Sequence, residues 1–559
     1  MKFSKIRKFA QRHGLLALPG AAFAKLRASA AYASYAAKTG PSPQQLAGQR
    51  AKEFRFSPKI SIITPVYNTP LSVLEETLKS VLAQTYANWE LCLADGSPAD
   101  WPGRAALEKY SARDPRIKVR FLQTNDGITG NSNAALAMAG GDYIGLLDHD
   151  DILRPDALYE VVAALNAGPE ADLLYSDEDK LAADGKTRFF PHFKPDWSPD
   201  TFRSYNYICH FSVLKKSLLE AAGPFRPGFE GSQDYDLLLR AAEKARCIHH
   251  IPKVLYSWRV VPGSTSDDEN AKPYACVSGR KALEEHLERT GRKADVLAGC
   301  AQGIYRISYS APAVKTAVFV PAARADDAYL QNLIAGTALP DCEFFVLADE
   351  NAAPRRIAGK EINVIGRGVL APLKTRAAAF AFINGGILPR DNDWLCGMLE
   401  HALRDGVGAA GGKILNGATR ITNCGYLIGP DCLPRPLHKN APDSRMGYMC
   451  RTHIIQNISA AAGCLVTRRG VFENAGGFDP YYQTELREID YCLRVRAFGK
   501  TVVWTPYARF DRADRTDCAI FPETELAHFA ARWSESVKSG DPFYNPNLSP
   551  EGDFSLATR

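Results

Sequence analysis

A short acidic run in the first third of the chain has the residue types of a metal site. The sequence Leu146-Leu147-Asp148-His149-Asp150-Asp151 places three carboxylates directly after two apolar residues. Crowded carboxylates repel each other, and a hard cation bound to oxygen ligands relieves that repulsion. The alternative is a strand-to-helix turn in which Asp151 or Asp156 caps a helix. The run alone leaves both interpretations open.

A second acidic cluster opens a later apolar run. Gln233-Asp234-Tyr235-Asp236 precedes Leu237-Leu238-Leu239-Arg240, which has the composition of a helix. Acids in a first helical turn interact favourably with the helix dipole, and that is the structural explanation. The functional explanation is a general base presented at the start of a helix.

Alternating strands and helices would position these acids. Apolar strands are predicted at residues 60–66, 89–94, 117–122 and 142–147, and helices at 71–82, 131–138 and 155–165. This order predicts an α/β fold with a mostly parallel sheet covered on both faces. Ligands of such sheets bind beyond the carboxyl ends of the strands. Asp95, Asp148 and the segment Pro65-Val66-Tyr67-Asn68 all follow strands, so we expect them on one rim.

Composition excludes several classes of protein. The chain has 559 residues, a net charge of +6 and 46% hydrophobic residues, which predicts two or more globular domains. The sequence contains no run of about 18 apolar residues, so no membrane-spanning helix is predicted. Thirteen scattered cysteines without a CxxC pair favour a reducing compartment over disulfides or zinc. No GxGxxG follows a strand, and Gly411-Gly412-Lys413 lacks the spacing of a P-loop.

The positive charge is concentrated at the N-terminus. Residues 1–50 hold nine Lys or Arg and no acid, whereas the remainder is near neutral, so no nucleic acid is expected as a partner. The first twelve residues could form an amphipathic helix on an anionic membrane. Two alternatives are a cleaved targeting segment, which Pro19 and Gly20 make less favourable, and a helical extension that packs on the body.

Together these segments resemble a family 2 glycosyltransferase with the GT-A fold. The resemblance extends from about residue 57 to 265 and rests on several motifs in order. These are 62–68, 81–86 with 89–91, 95–97, 130–135, 148–151, 233–236 and 258–259. The stretches Tyr175-Ser176-Asp177-Glu178-Asp179-Lys180 and Phe193-Lys194-Pro195-Asp196-Trp197 further resemble bacterial enzymes that build O-antigen and other surface polysaccharides.

The resemblance implies a role for each matching residue. Asp234 would be the catalytic base, and Asp148 and Asp150 would form the DxD motif, with Asp150 as the direct ligand of Mg²⁺ or Mn²⁺. The resemblance also implies the nucleotide-sugar-binding residues, with Asp95 accepting a hydrogen bond from the donor base: Pro65, Tyr67, Asp95, Asn131 and Asp148. Such an enzyme inverts the anomeric centre by direct displacement.

This chain departs from the family pattern at two positions. Asp95 is followed directly by Gly96-Ser97, where the family often has a second acid. Tyr256-Ser257-Trp258-Arg259 has serine where close relatives often have a histidine that supports the metal or diphosphate. His210 or His192 could replace that histidine, although a lone histidine is more often structural.

The second half repeats elements of the first. Strands are predicted at 316–320, 343–347 and 380–383 after a polar helix at 281–289, and the segments 475–478 and 488–494 resemble 222–225 and 234–240. Matching Ile387-Leu388 to Ile152-Leu153 places Ile383-Asn384-Gly385-Gly386 where the metal-binding acids stand. We therefore expect a diverged GT-A-like domain. Asp391-Asn392-Asp393 mimics a DxD motif but is better explained by helix capping, and Glu488 keeps a carboxylate at the base position.

The sequence thus predicts two GT-A domains in tandem. A basic helical arm (1–55) precedes a catalytic domain (56–300) and a domain without the DxD motif (310–559), which would serve dimer formation, acceptor binding or stability. The expected activity is metal-dependent, inverting transfer of a sugar from a nucleotide-diphosphate donor to a bacterial surface glycan or a lipid-linked glycan. The expected location is the cytoplasm, with contact to the inner membrane face through residues 1–50. The alternatives are a bifunctional transferase and a non-catalytic nucleotide-sugar-binding scaffold.

Overall fold

The computed structural model describes residues 18–168, 170–260, 273–339, 341–366, 375–417, 419–512 and 521–557. The chain divides into two compact units. The first comprises residues up to Lys194 together with Ile208–Ala282, and the second comprises Pro195–Tyr207 together with residues from Leu283 onwards. The predicted first domain, residues 56–300, includes two stretches that pack with the second unit.

Helices and strands alternate through the first unit as the apolar pattern predicts. Its helices are α1 (Leu18–Thr39), α2 (Pro43–Ala51), α3 (Leu71–Leu82), α4 (Gly103–Arg113), α5 (Gly127–Leu136) and α6 (Ala157–Ala167), and, after α7 (Pro199–Ser204) of the second unit, α8 (Lys216–Ala222), α9 (Gln233–Ala242) and the start of α10 (Pro273–Arg289). Its strands are β1 (Ile60–Val66), β2 (Trp89–Asp95), β3 (Ile117–Phe121), β4 (Tyr143–Leu146), β5 (Ile152–Leu153), β6 (Leu173–Leu181), β7 (Arg188–His192), β8 (Ser212–Lys215) and β9 (Ile248–Arg259).

These strands form one sheet in the order β3-β2-β1-β4-β8-β6-β9-β5, with β7 paired to β6. Strands β1, β2, β3, β4, β6 and β9 share one direction, whereas β5, β7 and β8 oppose it. Every residue of β1 and β2 is buried, as expected for central strands covered on both faces. The predicted mostly parallel α/β sheet is confirmed.

Helix α1 packs on this unit through its aromatic residues. Tyr32 is buried, its hydroxyl donates to Asp179 Oδ2 at 2.7 Å, and its ring meets that of Phe193 edge-on at 6.5 Å. This part of the basic arm is therefore a helical extension that packs on the body. The predicted membrane-binding residues 1–12 lie outside the described residues. Within the described ranges, no helix is long and apolar enough to cross a membrane.

The second unit repeats the first with added strands. Its helices after α7 and α10 are α11 (Asp327–Ala335), α12 (Trp394–Ala402), α13 (Arg469–Asn474), α14 (Leu486–Ala497) and α15 (Glu523–Val537). Its strands are β10 (Ala294–Ala298), β11 (Tyr305–Tyr309), β12 (Thr316–Pro321), β13 (Cys342–Ala348), β14 (Ala352–Ile357), β15 (Lys360–Gly366), β16 (Ala379–Ile383), β17 (Ile387–Pro389), β18 (Val407–Asn416), β19 (Arg420–Asn423), β20 (Tyr426–Ile428), β21 (Pro434–Pro436), β22 (Gln456–Ile458), β23 (Cys464–Arg468) and β24 (Thr501–Arg512).

The large sheet of the second unit has the strand order of the first. It runs β14-β15-β13-β12-β16-β23-β18-β24-β17, and from β15 onwards each strand matches one in the order β3-β2-β1-β4-β8-β6-β9-β5. The short strand at the final position is also equivalent, because β5 pairs antiparallel with β9 and β17 with β24. The second unit is therefore a structural repeat of the first, and α7 belongs to it, since Arg404 donates to Asp200 Oδ1 at 2.7 Å.

Candidate functional site

Two of the predicted acids meet in one pocket of the first unit. Asp148 follows β4, and Asp234 lies in the first turn of α9. Both line one open cavity, and further lining residues come from β1, α5 and the segment before β8: Ile63, Pro65, Ile128, Ser132, Cys209 and His210. The structure thus brings a carboxylate of the DxD run beside the predicted base, 86 positions later in the chain (234 − 148).

The acidic turn is fastened to β9, which explains its shape. The buried Asp151 carboxylate accepts hydrogen bonds from the Tyr256 hydroxyl and, at 2.7 Å, from the backbone N–H of Arg259. The Arg259 side chain donates from Nε to the Asp150 carbonyl at 2.7 Å. Burial and the charges of Asp150 and Asp148 raise the pKa of Asp151 well above its usual value. Asp151 therefore anchors the turn and does not cap a helix, and Asp156 makes no side-chain cap either.

The other two carboxylates of the turn face outward. The Asp148 side chain is 45% exposed, and its nearest basic atom is His210 Nε2 at 4.0 Å. Across the described part of the chain, the Asp150 carboxylate has no hydrogen bond or ion pair. No group of three or more His, Cys, Asp or Glu that could hold a metal was found within those residues. Two oxygen-bearing side chains still fit a hard cation whose remaining ligands are diphosphate oxygens and water.

His210 is the histidine that reaches the pocket. Its Nδ1 lies 2.9 Å from Glu178 Oε2, and its ring stacks on Tyr256 at 4.8 Å. Burial alone would lower the pKa of His210, but the hydrogen bond and charge of Glu178, with Asp148 and Asp151, raise it to about 9. His192 also contacts Glu178, at 3.3 Å, but does not line the cavity. Of the two histidines considered from the sequence, His210 is the one beside the acids.

Position 257 does not face this pocket. The Ser257 hydroxyl is buried and hydrogen-bonded to Asp179 and to Arg188, whereas Tyr256 on the same strand reaches Asp151. Successive side chains of a strand alternate between its two faces, so 256 and 257 must point in opposite directions. The serine therefore leaves the pocket wall intact. The sequence departure at this position removes no group from the site.

Asp234 is presented by a helix whose start is held by ion pairs. Arg226 and Arg240 both bind the buried Asp236 carboxylate, with Arg240 Nη2 at 2.8 Å. Cys209 Sγ donates to Asp234 Oδ2 at 2.9 Å. The Asn133 amide ties α5 to the loop before α9 through both backbone groups of Phe225, at 2.9 and 3.0 Å. These contacts fix Asp234 relative to the opposite wall, which α5 supplies.

The predicted nucleotide-binding residues are placed differently from one another. Pro65 lines the cavity, and Tyr67 is 45% exposed at the end of β1. Asp95 is buried and accepts from the N–H of Ser97 at 2.9 Å and from Arg104 at 3.4 Å. Asn131 is also buried, and its Oδ1 has no partner among the described residues. Asp95 and Asn131 lie outside the cavity lining, so their proposed roles stay predictions.

A known family profile matches the part of the chain that contains the acidic turn. Residues 61–223 match the sequence profile described as Glycosyl transferase family 2, and this stretch contains β1 to β8 and the acidic turn. This stretch is a family 2 glycosyltransferase domain. The match ends before Asp234, whose role as the base stays a prediction.

Two relatives are similar over most of the chain, and one solved structure is similar over less than half of it. An uncharacterized protein y4gI of Sinorhizobium fredii is 37% identical over 93% of this chain and 61% of its own length. The O-antigen biosynthesis protein RfbC of Myxococcus xanthus is 32% identical over 93% of this chain and 42% of its own. The crystal structure of S. aureus TarS 1–349 in complex with UDP-GlcNAc is 21% identical over 41% of this chain and 72% of that chain, with a TM-score of 0.32. The chain thus spans about two fifths to three fifths of the two curated relatives.

The equivalent place in the second unit contains a closed polar network. Only residues 384–386 separate β16 from β17, whereas residues 147–151 separate β4 from β5. Asn384 donates to Glu485 at 3.1 Å and accepts from Arg487 at 3.3 Å. Glu488 is fully buried and accepts from the Gly463 N–H at 2.6 Å and from Arg487 at 3.3 Å. The shorter turn has no carboxylate, and an arginine pairs with the acid at the base position.

Burial, with the charge of Glu485, raises the pKa of Glu488 to about 7, although Arg487 and the Gly463 N–H oppose this shift.

The prediction that the acids of Asp391-Asn392-Asp393 cap a helix is wrong. Asp393 precedes α12 without a side-chain cap, and Asp391 instead accepts two hydrogen bonds from Arg509, at 2.8 and 2.6 Å. Asp391 is therefore neutralised by an arginine from β24.

Proposed function

We propose that the first unit transfers a sugar from a nucleotide-diphosphate donor to a hydroxyl of a glycan, with inversion and with a divalent metal ion. The observation that carries the proposal is the placement of Asp148 and Asp234 on one cavity beside an acidic turn whose Asp150 carboxylate is unpaired among the described residues. A scaffold would have no need for the Asp150 carboxylate beside Asp148, because the repulsion between neighbouring acids destabilises a fold.

The donor diphosphate needs positive charge before it can leave. When bound, Mg²⁺ or Mn²⁺ at Asp148 and Asp150 supplies that charge to the departing oxygen. The chain's own contribution is to hold both carboxylates on one side of the cavity. Tyr256 and Arg259 do so by fixing Asp151 and the Asp150 carbonyl. His210, held by Glu178, lies beside Asp148 where it can donate a hydrogen bond to the same diphosphate.

The acceptor hydroxyl is a weak nucleophile and needs a base, and Asp234 is the base that we propose. Its carboxylate accepts the hydroxyl proton while the acceptor oxygen forms a bond to the anomeric carbon. The bond from that carbon to the diphosphate oxygen breaks at the same time, and its electron pair leaves with the nucleotide. One base is sufficient for this displacement, and no covalent sugar–enzyme intermediate forms.

The acceptor that we propose is a bacterial cell-surface glycan or its lipid-linked precursor. The support is the likeness to a protein named for O-antigen biosynthesis over 93% of this chain. We propose further that the second unit is non-catalytic, because Arg487 and Asn384 close the place where metal and base would act. A working second site would make the protein bifunctional, and Glu488→Gln would then remove one of two products.

The decisive experiment is a hydrolysis screen of nucleotide sugars with Mn²⁺, Mg²⁺ or EDTA, reading released nucleotide. We expect slow, metal-dependent release from one donor by the wild type and none by Asp150→Ala. Asp100→Asn, an exposed acid of the same unit, serves as the matched control and should match the wild type. Silence on every donor, with no nucleotide binding by calorimetry, would favour the scaffold.

A further inference from the structure

A half-exposed aromatic ring lies beside the helix that presents Asp234. Tyr274, in the first turn of α10, is 51% exposed. Gly231 has a φ of +82°, and a Cβ built on it would lie 2.9 Å from the ring carbon Cε2 of Tyr274. One part of the ring therefore packs against the Gly231 backbone, while about half of the side chain faces solvent. Glycine is required at 231 both by this close approach and by the left-handed φ.

Two hydrogen bonds connect the start of α10 to the residues that line the pocket. The Ser232 hydroxyl donates to the Ala275 carbonyl at 2.9 Å, which fixes the start of α10 against the start of α9. The Gln233 side chain accepts from the Gly231 N–H at 2.8 Å, and Gln233 and Asp234 both line the cavity. The ring thus packs against Gly231, which lies three positions before the proposed base Asp234.

Within the described residues, the Tyr274 hydroxyl makes no hydrogen bond and its ring pairs with no other aromatic ring. Val277, one turn further along α10, is also 69% exposed, so this face of the helix is apolar where it meets solvent. The negative face of an aromatic ring attracts the weakly positive C–H groups of a sugar ring, and tyrosine adds a hydroxyl that can bond a sugar hydroxyl. Sugar binding is a chemistry that such a surface fits.

We propose that Tyr274 is a binding platform for a pyranose ring of the acceptor glycan. The inference rests on the proposed function, which makes Asp234 the group that meets the acceptor. The platform belongs to the acceptor and not to the donor, because it is fixed to α9, which carries the base. The donor diphosphate is instead assigned to the acidic turn after β4.

The test is saturation-transfer NMR on the full chain with a panel of methyl pyranosides as probes: the glucoside, galactoside, mannoside, rhamnoside and N-acetylglucosaminide. At least one should show saturation transfer to its C–H protons with the wild type. We expect Tyr274→Ala to weaken that binding about fivefold or more, and Tyr274→Phe to keep most of it. Val277→Ala is the matched control and should bind as the wild type does.

Each outcome has one meaning for the platform. Equal signals for the wild type and Tyr274→Ala, or no signal from any probe, would overturn it. The NMR experiment measures binding and needs no turnover. Failure of the platform can therefore be distinguished from failure of the proposed function, which would be seen as absent nucleotide release. Thermal unfolding of each variant shows whether the loss of signal reflects loss of fold, and Tyr274→Phe gives a second, milder test if Tyr274→Ala unfolds.

Discussion

The two units have the same strand order but differ in the charged groups that follow the equivalent strands β4 and β16. In the first unit, five residues separate β4 from β5, and they include three acids of which Asp148 and Asp150 face outward. In the second unit, three residues separate β16 from β17, and Asn384 bonds to Glu485 and Arg487. One scaffold therefore accommodates both an acidic turn and a turn whose polar groups are paired with an arginine of its own unit.

What the units retain in common is the anchoring of the base-bearing helix. Arg240 binds Asp236 and the carbonyl of Ala222, and Arg494 binds Asp490 and the carbonyl of Ala475. This ion pair is present in both units, whereas the acidic turn is present only in the first. Under the proposed function, the arginine and aspartate stabilise the fold and the outward acids serve chemistry. The predictions below test that division.

The largest expected effect is that of Asp234→Asn. Replacing the carboxylate with an amide leaves the shape but removes the proton acceptor, which should lower the transfer rate by about 10²- to 10⁴-fold. The measurement is kcat for transfer with the donor found in the hydrolysis screen. Asp393→Asn, an exposed acid before α12, is the control in the second unit. A transfer rate within twofold of the wild type would remove Asp234 from the base role.

The next effect is that of Asp150→Asn, which should lower metal-dependent nucleotide release by about 10²- to 10³-fold. The physical reason is the loss of one negative ligand for the cation that neutralises the leaving diphosphate. Titration of activity with Mn²⁺ should show a higher half-saturation concentration in the variant. An unchanged Mn²⁺ dependence would mean that the acids are placed there for another purpose.

Local pattern predicted β1 to β4 and the helices α3, α5 and α6, but not the strands β5 to β9 or the contacts that arrange the site. The predicted strand 142–147 is β4, Tyr143–Leu146, and the predicted helix 131–138 is α5, which begins earlier, at Gly127. Glycines 127 and 130 hid that start, because glycine usually marks a turn. The second unit was identifiable because its arginine, aspartate and glycine positions repeat those of the first.

The remaining features depend on partners far apart in the chain. Asp151 is held by Tyr256, 105 residues away, and Asp391 by Arg509, 118 residues away, so neither acid could be separated from a helix cap by its neighbours alone. The orientation of Ser257 needed the register of β9. Glu178 lies in the stretch 175–180 that resembles bacterial polysaccharide enzymes, but its contact with His210, 32 residues away, could not be predicted from that resemblance.

A moderate effect is expected for His210→Asn. The shorter side chain loses the contact with Glu178 and with the pocket, so the KM for the donor should rise about tenfold while the fold is retained. His192→Asn is a matched control, because His192 also contacts Glu178 but does not line the cavity. If both variants raise the donor KM equally, the effect belongs to Glu178 and not to a contact with the donor.

The smallest effect on activity is expected for Glu488→Gln. This variant also tests the difference between the two units most directly. Transfer by the first unit should be unchanged, since Glu488 lies in a closed network of the second unit. Stability should change with pH instead. The pKa of Glu488 is raised to about 7 in the folded protein, so the folded state holds a proton that the unfolded state has already lost above about pH 4.5. Stability from this group is therefore complete at low pH and falls as pH rises through about 7.

Each pKa unit corresponds to about 1.4 kcal/mol, so the free energy of unfolding of the second unit should fall by on the order of 1–3 kcal/mol between pH 5 and pH 8 on account of this residue. Glutamine stays neutral, so the variant should lose that pH dependence and be the more stable protein at pH 8. Urea unfolding of both proteins at the two pH values measures the difference. Parallel pH profiles would mean that Arg487 holds Glu488 ionised, and the second site would then keep a charged acid available for catalysis.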